Sequence, residues 1–184
     1  MFTNQQPYTP ILSMTTDELR AIQVPIKQQY QQQPETAMIT LQAEGSLGDK
    51  VSCNVGAGKA IVQAGLHPAT GGKGDLAYSG DMLLEALVAC AGVTLKAVAT
   101  AIGVTIHYGV VRAEGDLDFR GTLGVANEAP VGFQAIRLTF ELDTHATEEQ
   151  VETLVKLTKR DCVIYQTLQH SPTLALSVDT LAAS

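Results

Sequence analysis

Apolar residues recur along this chain with two different periods, and the changes between them mark out its elements. Thr15 or Thr16, followed by Asp17 and Glu18, opens a segment in which Leu19, Ile22 and Ile26 return at helical spacing. A helix is predicted up to the glutamine-rich stretch Gln28 to Gln33, ended by Pro34 and bent at Pro25, where an interior proline removes one backbone hydrogen bond. From Thr36 the period becomes two. Ala37, Ile39, Leu41 and Ala43 fall on one face and Met38, Thr40, Gln42 and Glu44 on the other, which predicts a strand. Gly48-Asp49 turns the chain into Lys50 to Val55, where Val51, Cys53 and Val55 share a face, and Gly56 and Gly58 lead to a third run, Ala60 to Ala64. The expected product is an antiparallel meander.

Beyond the glycine-containing loop Leu66 to Tyr78, Ser79 is placed to cap a long helix that runs through Ile102 and stops at Gly103. This helix is apolar nearly all round and so must be covered on most sides, in the centre of the fold or in a subunit interface. Strands resume with Thr105 to Asp118 and Phe133 to Leu142; in the second, Ile136, Leu138, Phe140 and Leu142 alternate with Arg137, Thr139 and Glu141. Thr147-Glu148-Glu149-Gln150 is a capping box opening an amphipathic helix with Val151, Leu154, Val155 and Thr158 inward. Asp161 is placed to cap a further segment, Cys162 to Gln169, before Pro172 and a closing strand through Leu174, Leu176 and Val178. The fold class is therefore α+β, with residues 1–34 as a leader and residues 35–184 as one domain.

Composition narrows the function. With 184 residues, 45% hydrophobic and 17% charged, the chain can bury a core without disulfides or metal. A net charge of −7 with no basic run argues against a grip on nucleic acid or an anionic membrane and favours a small uncharged or apolar partner. Met82 to Ala101 approaches membrane-span length but contains Glu85 and Lys96, and reads as a buried core helix. The polar start Met1 to Pro10 shows no signal-peptide pattern, and the three cysteines Cys53, Cys90 and Cys162 are not the even framework of a secreted domain, so reduced thiols in the cytoplasm are expected.

Chemistry, if any, falls to two of those thiols. Cys90 lies mid-helix, where apolar burial would leave a thiol inert. Cys162, with Asp161 as cap, is expected in a first helical turn behind Lys159 and Arg160, where unpaired N–H groups and positive charge favour a thiolate. Cys53 reads as core. His67, His107, His145 and His170 show no ligand spacing and no CxxC accompanies them, so neither a metal nor another cofactor is inferred. Gly71-Gly72-Lys73-Gly74 matches no phosphate-binding fingerprint and reads as a flexible loop at the mouth of the site.

The segment Ser79-Gly80-Asp81-Met82-Leu83-Leu84-Glu85-Ala86-Leu87-Val88-Ala89-Cys90 resembles the first-cysteine helix of the OsmC/Ohr superfamily, and Arg160-Asp161-Cys162-Val163-Ile164-Tyr165-Gln166-Thr167-Leu168 its second-cysteine motif. The resemblance covers roughly Glu35 to Val178. It implies an intertwined homodimer in which sheets from both chains wrap two central helices. It also implies reduction of organic hydroperoxides: Cys90 attacks the peroxide, becomes a sulfenic acid and is resolved by Cys162, with an external thiol or dithiol as reductant. Two departures stand against the family pattern. The activating glutamate ten residues before the first cysteine is replaced by Gly80, and no arginine occurs between Arg20 and Arg112 to supply the meander's cation. Asp81, one place on, matches the acidic residue of the broader branch and reads as a helix cap. Three readings stay open: a hydroperoxide reductase with an apolar cleft lined by Leu83 and Leu87, a non-enzymatic stress or apolar-ligand-binding protein, and a structural pair of core cysteines.

Overall fold

The computed structural model describes residues 14–38, 40, 43, 45–47, 52–57 and 60–179. Helix α1 spans Thr16–Gln32; its capping box is formed by Thr15 and Glu18, and Pro25 is carried inside it. It docks by its first turn, where the Thr16 hydroxyl donates to the Thr100 carbonyl at 2.8 Å. Most of its apolar side chains face outward: Ile22, Val24, Ile26 and Tyr30 are all exposed.

The expected strand from Thr36 does not begin there. Pro34–Ala37 form a turn of 3-10 helix, because Pro34 at the first position suits a new helical turn and the Met38 amide closes it on Glu35. Ile39, Leu41, Glu44, the Gly48-Asp49 turn and Lys50 and Val51 lie outside the described residues. The meander itself is present: β1 (Gly45–Leu47), β2 (Ser52–Ala57) and β3 (Ala60–Gly65) pair antiparallel in that order. Cys53 sits on β2 opposite Leu47 and Ala64.

Helix α2 (Ser79–Ile102) supplies the centre. Its N-cap is Tyr78 rather than Ser79, and no side chain caps it; Asp81 instead places a carboxylate in the first turn, against the positive end of the helix dipole. Gly103, at φ 74°, stops the helix by adopting the left-handed conformation that a side chain would disfavour. Strands β4 (Ile106–Asp116) and β5 (Ala135–Thr144) then form a long antiparallel pair, joined through the short helix α3 (Phe119–Thr122). The alternation in β5 holds: Ile136, Leu138, Phe140 and Leu142 are half-buried and the residues between them more exposed, apart from Thr144 at the end. On the outer face Arg137 pairs with Glu114 and Asp116 and Arg112 with Glu141, exposed contacts of small energetic weight.

Helix α4 (Glu148–Asp161) carries the predicted capping box, the Gln150 amide donating to Thr147 and the Thr147 amide to the Gln150 side chain. Leu154, fully buried, joins Leu95, Val98, Ala99 and Val104 in the core, with Phe140, Leu142 and Leu157 packed around them. α2 is thus covered on one side by α4 and the β4–β5 pair. Its other side is more open: Leu83 is 37% exposed and Val93 73%. Helix α5 (Val163–Gln169) follows α4 directly. The expected closing strand is not formed: residues 171–179 carry no regular structure, and Leu174, Leu176 and Val178 are 79–94% exposed. A strand needs a ladder partner, and no described strand of the same chain takes up this one.

Candidate functional site: two thiols at a helix junction

The α4–α5 junction is built by one residue leaving helical geometry. Cys162 has φ −75° and ψ 107°, which ends α4 and makes the same residue the N-cap of α5. Its amide still donates to the Thr158 carbonyl at 2.9 Å, and its carbonyl accepts from the Gln166 amide at 3.0 Å. The break is braced from both sides. The Gln166 side chain donates to the Lys159 carbonyl at 2.7 Å, satisfying one of the last acceptors of α4, and the Lys159 ammonium lies 5.6 Å from the centre of the Tyr165 ring. Asp161, expected to cap α5, instead closes α4 and pairs with Arg160 at 2.8 Å.

That geometry brings the two thiols together across 72 positions of sequence: the Cys162 thiol donates to the Cys90 sulfur at 3.4 Å. Cys162 is buried, and Cys90 is half-buried on α2. Their acidities are driven apart. Burial pushes the Cys90 thiol up, but the Ile164 amide, the Cys162 thiol, the Thr94 hydroxyl and the Val163 amide all favour its thiolate, and the balance holds it below the ordinary thiol value. Burial pushes the Cys162 thiol up, only partly opposed by the Tyr165 amide, and the Cys90 sulfur pushes it further, leaving it above the ordinary value. Sequence reasoning gave the helix-start activation to Cys162 alone; the first amides of α5 act on both sulfurs, those of Ile164 and Val163 on Cys90 and those of Tyr165 and Ile164 on Cys162, where burial outweighs them. The pair therefore sets a more acidic thiol against a less acidic one that donates to it, an arrangement suited to attack followed by disulfide closure.

The two departures from the family pattern have a structural explanation in one case. A Cβ at Gly80 would stand 2.4 Å from Cε1 of Tyr78, so the ring fills the space a glutamate would enter. Tyr78 is held by His67, edge-on at 5.0 Å, and His67 stacks on Phe119 at 4.8 Å. This aromatic cluster lines a cavity with Asp81 and Leu84, which lie about 180° and about 120° around α2 from Cys90 by helix geometry. The Gly71–Gly74 loop, expected at the mouth of the site, folds back on His67 through the Gly72 amide. Among the described residues the groups favouring the Cys90 thiolate are all neutral donors, and none is a cation in the place of the family arginine. Arg20 lies on α1, whose docking point, Thr100, is ten residues and about 15 Å along α2 from Cys90. Leu87 is buried in the core and does not line an open cleft, whereas Leu83, seven residues before Cys90 and on its face, remains partly open. Glu85 is solvated. His107 and His145 meet at 5.0 Å, a contact their sequence spacing did not reveal, and His170 is the exposed C-cap of α5.

Residues 72–177 match the family model described as OsmC-like protein, more than half of the chain, and the chain belongs to that family. The fold agrees. An OsmC-like protein from Mycoplasma pneumoniae superposes with a TM-score of 0.60 at 20% identity, covering 72% of this chain and 89% of its own. Organic hydroperoxide resistance proteins from Legionella pneumophila and Elizabethkingia anophelis give TM-scores of 0.57 and 0.58 at 16% and 15% identity, covering 72% and 73% of this chain and 91% of each of theirs. No curated protein is a significant sequence match. Helix α2 is long and apolar enough to cross a membrane by length and composition, yet in this fold it is the central helix of an OsmC-like domain.

Proposed function

We propose that this chain reduces organic hydroperoxides through Cys90 and Cys162. The observation that carries this reading is the 3.4 Å thiol pair, whose two acidities are pushed in opposite directions. The Cys90 thiolate attacks the terminal peroxide oxygen; the O–O bond breaks, the sulfur is oxidised to a sulfenic acid, and the alkoxide leaves and takes a proton to become the alcohol. The Cys162 thiol then attacks the Cys90 sulfur, expelling water and forming a disulfide. An external dithiol restores both thiols by exchange. An apolar peroxide is the substrate class, since Leu83 lies on the Cys90 face of α2.

The working unit in this proposal is a cytoplasmic homodimer in which the second copy covers the open side of α2, with residues 1–34 as a leader to a domain spanning 35–184. Val93 and the extended run Leu174 to Val178 are apolar surfaces that a second copy can bury. A non-enzymatic binding role is the second reading, favoured by the Tyr78 ring that occupies the place of the family carboxylate. Consumption of an organic hydroperoxide with a dithiol reductant separates the two. The native chain should turn over, Cys90→Ser should be inert, and Cys162→Ser should react once and stall. Equal rates in all three chains would leave only the binding role.

A further inference from the structure

We infer that the ring-lined cavity at the start of α2 binds a small organic ammonium ion. The cavity measures about 360 Å³, and its walls carry four rings, His67, Tyr78, Phe119 and Phe133, and two carboxylates, Asp81 and Asp116. Small-molecule sites begin at about this volume. The site stands apart from the thiol pair and does not depend on its chemistry, since Asp81 lies about 180° around α2 from Cys90.

Two of the rings sit where only glycine leaves room. A Cβ at Gly80 would come within 2.4 Å of the Tyr78 ring, and a Cβ at Gly115 within 2.4 Å of the Phe133 ring. His67 stacks on Phe119 with centroids 4.8 Å apart and meets Tyr78 edge-on at 5.0 Å. Its Nδ1 accepts from the Ala69 amide at 3.0 Å, and a ring nitrogen that accepts carries no proton, so the imidazole serves as a neutral aromatic wall. Asp116 is already engaged by Arg137. Asp81 takes no hydrogen bond or ion pair from the other described residues, and none of the described lysines or arginines lines the cavity.

These walls discriminate by charge. An anion would meet the Asp81 carboxylate and the negative faces of the rings. A neutral apolar molecule would suit the rings but draw water away from Asp81 with no bond in return. A cation with an apolar body is attracted by both, to the ring faces and to the carboxylate.

The test titrates the reduced full-length chain with choline, and separately with the neutral alcohol in which a carbon replaces the choline nitrogen, following the backbone amides by NMR. Choline should shift the Gly80 and Gly115 resonances and bind about tenfold more tightly than the alcohol. Asp81→Asn, which keeps the size and removes the charge, should weaken choline about fivefold and leave the alcohol unchanged. Tyr78→Leu should weaken choline by a similar factor, whereas Tyr78→Phe, which keeps the ring, should bind as the native chain does. Should the leucine variant fail to fold, Asp81→Asn, at an exposed position, decides the matter. Equal affinity for choline and the alcohol, no shift at the two glycines, or choline binding indifferent to Asp81→Asn overturns the inference, as does a phenylalanine variant that behaves like leucine.

Discussion

Oxidising the thiol pair should strengthen the fold, and the structure limits by how much. The sulfurs stand 3.4 Å apart, so a disulfide of about 2.05 Å requires an approach of about 1.4 Å. The movement falls where the chain can accommodate it, since Cys162 has already left the helical conformation while its backbone bonds to Thr158 and Gln166 remain available. The bridge would close a loop across 72 positions; loop-closure entropy for that length sets an upper limit of about 4 kcal/mol, reduced by any strain in the closed form. Urea unfolding of the reduced chain and of the chain oxidised with one equivalent of organic hydroperoxide, at equal protein concentration, measures the difference. The oxidised form should be the more stable, by less than that limit. An oxidised form less stable than the reduced one, or a bridge that includes Cys53, would refute the reasoning, because either would mean that closure distorts the junction rather than locking it.

Two further substitutions probe the frame around the pair. Leu154→Ala removes a fully buried side chain from the α2–α4 contact and should cost about 2–5 kcal/mol in chemical denaturation; a loss below 1 kcal/mol would mean that the helices are not packed through this residue. Gly80→Glu restores the family carboxylate in sequence but drives a Cβ to 2.4 Å from the Tyr78 ring. It should therefore cost about 1–3 kcal/mol of overpacking without accelerating peroxide consumption, and a faster enzyme with an unchanged melting temperature would contradict this account of Tyr78.

Elements with a long, uninterrupted period were legible from the residues alone. The two-residue alternation of β5 and the capping box at Thr147 both reappear in the structure, since each depends on near neighbours. Segments whose fate rests on a partner were not. Leu174 to Val178 alternates as a strand does, but a ladder cannot be completed by pattern without a neighbouring strand. Thr36 and Ala37 were captured by the helical turn that Pro34 starts. At the site, the family motifs marked both thiols, but their roles depended on a single backbone conformation. With Asp161 inside α4 and Cys162 at the break, the amides of α5 act on Cys90. No local pattern distinguishes that arrangement from a cap at Asp161. Tyr78 carried no signal until its ring was seen over Gly80.

The central claim is that Cys90 is the thiol oxidised first and Cys162 the one that resolves it. The most direct measurement adds one equivalent of organic hydroperoxide to reduced Cys162→Ser in the presence of dimedone, a carbon acid that traps sulfenic acids, and maps the adduct by peptide mass spectrometry. The account predicts a single adduct on Cys90 in this variant, and in the native chain a Cys90–Cys162 disulfide with little adduct. Trapping on Cys53, or oxidation of Cys162 in Cys90→Ser at the rate seen for Cys90 in the native chain, would contradict it.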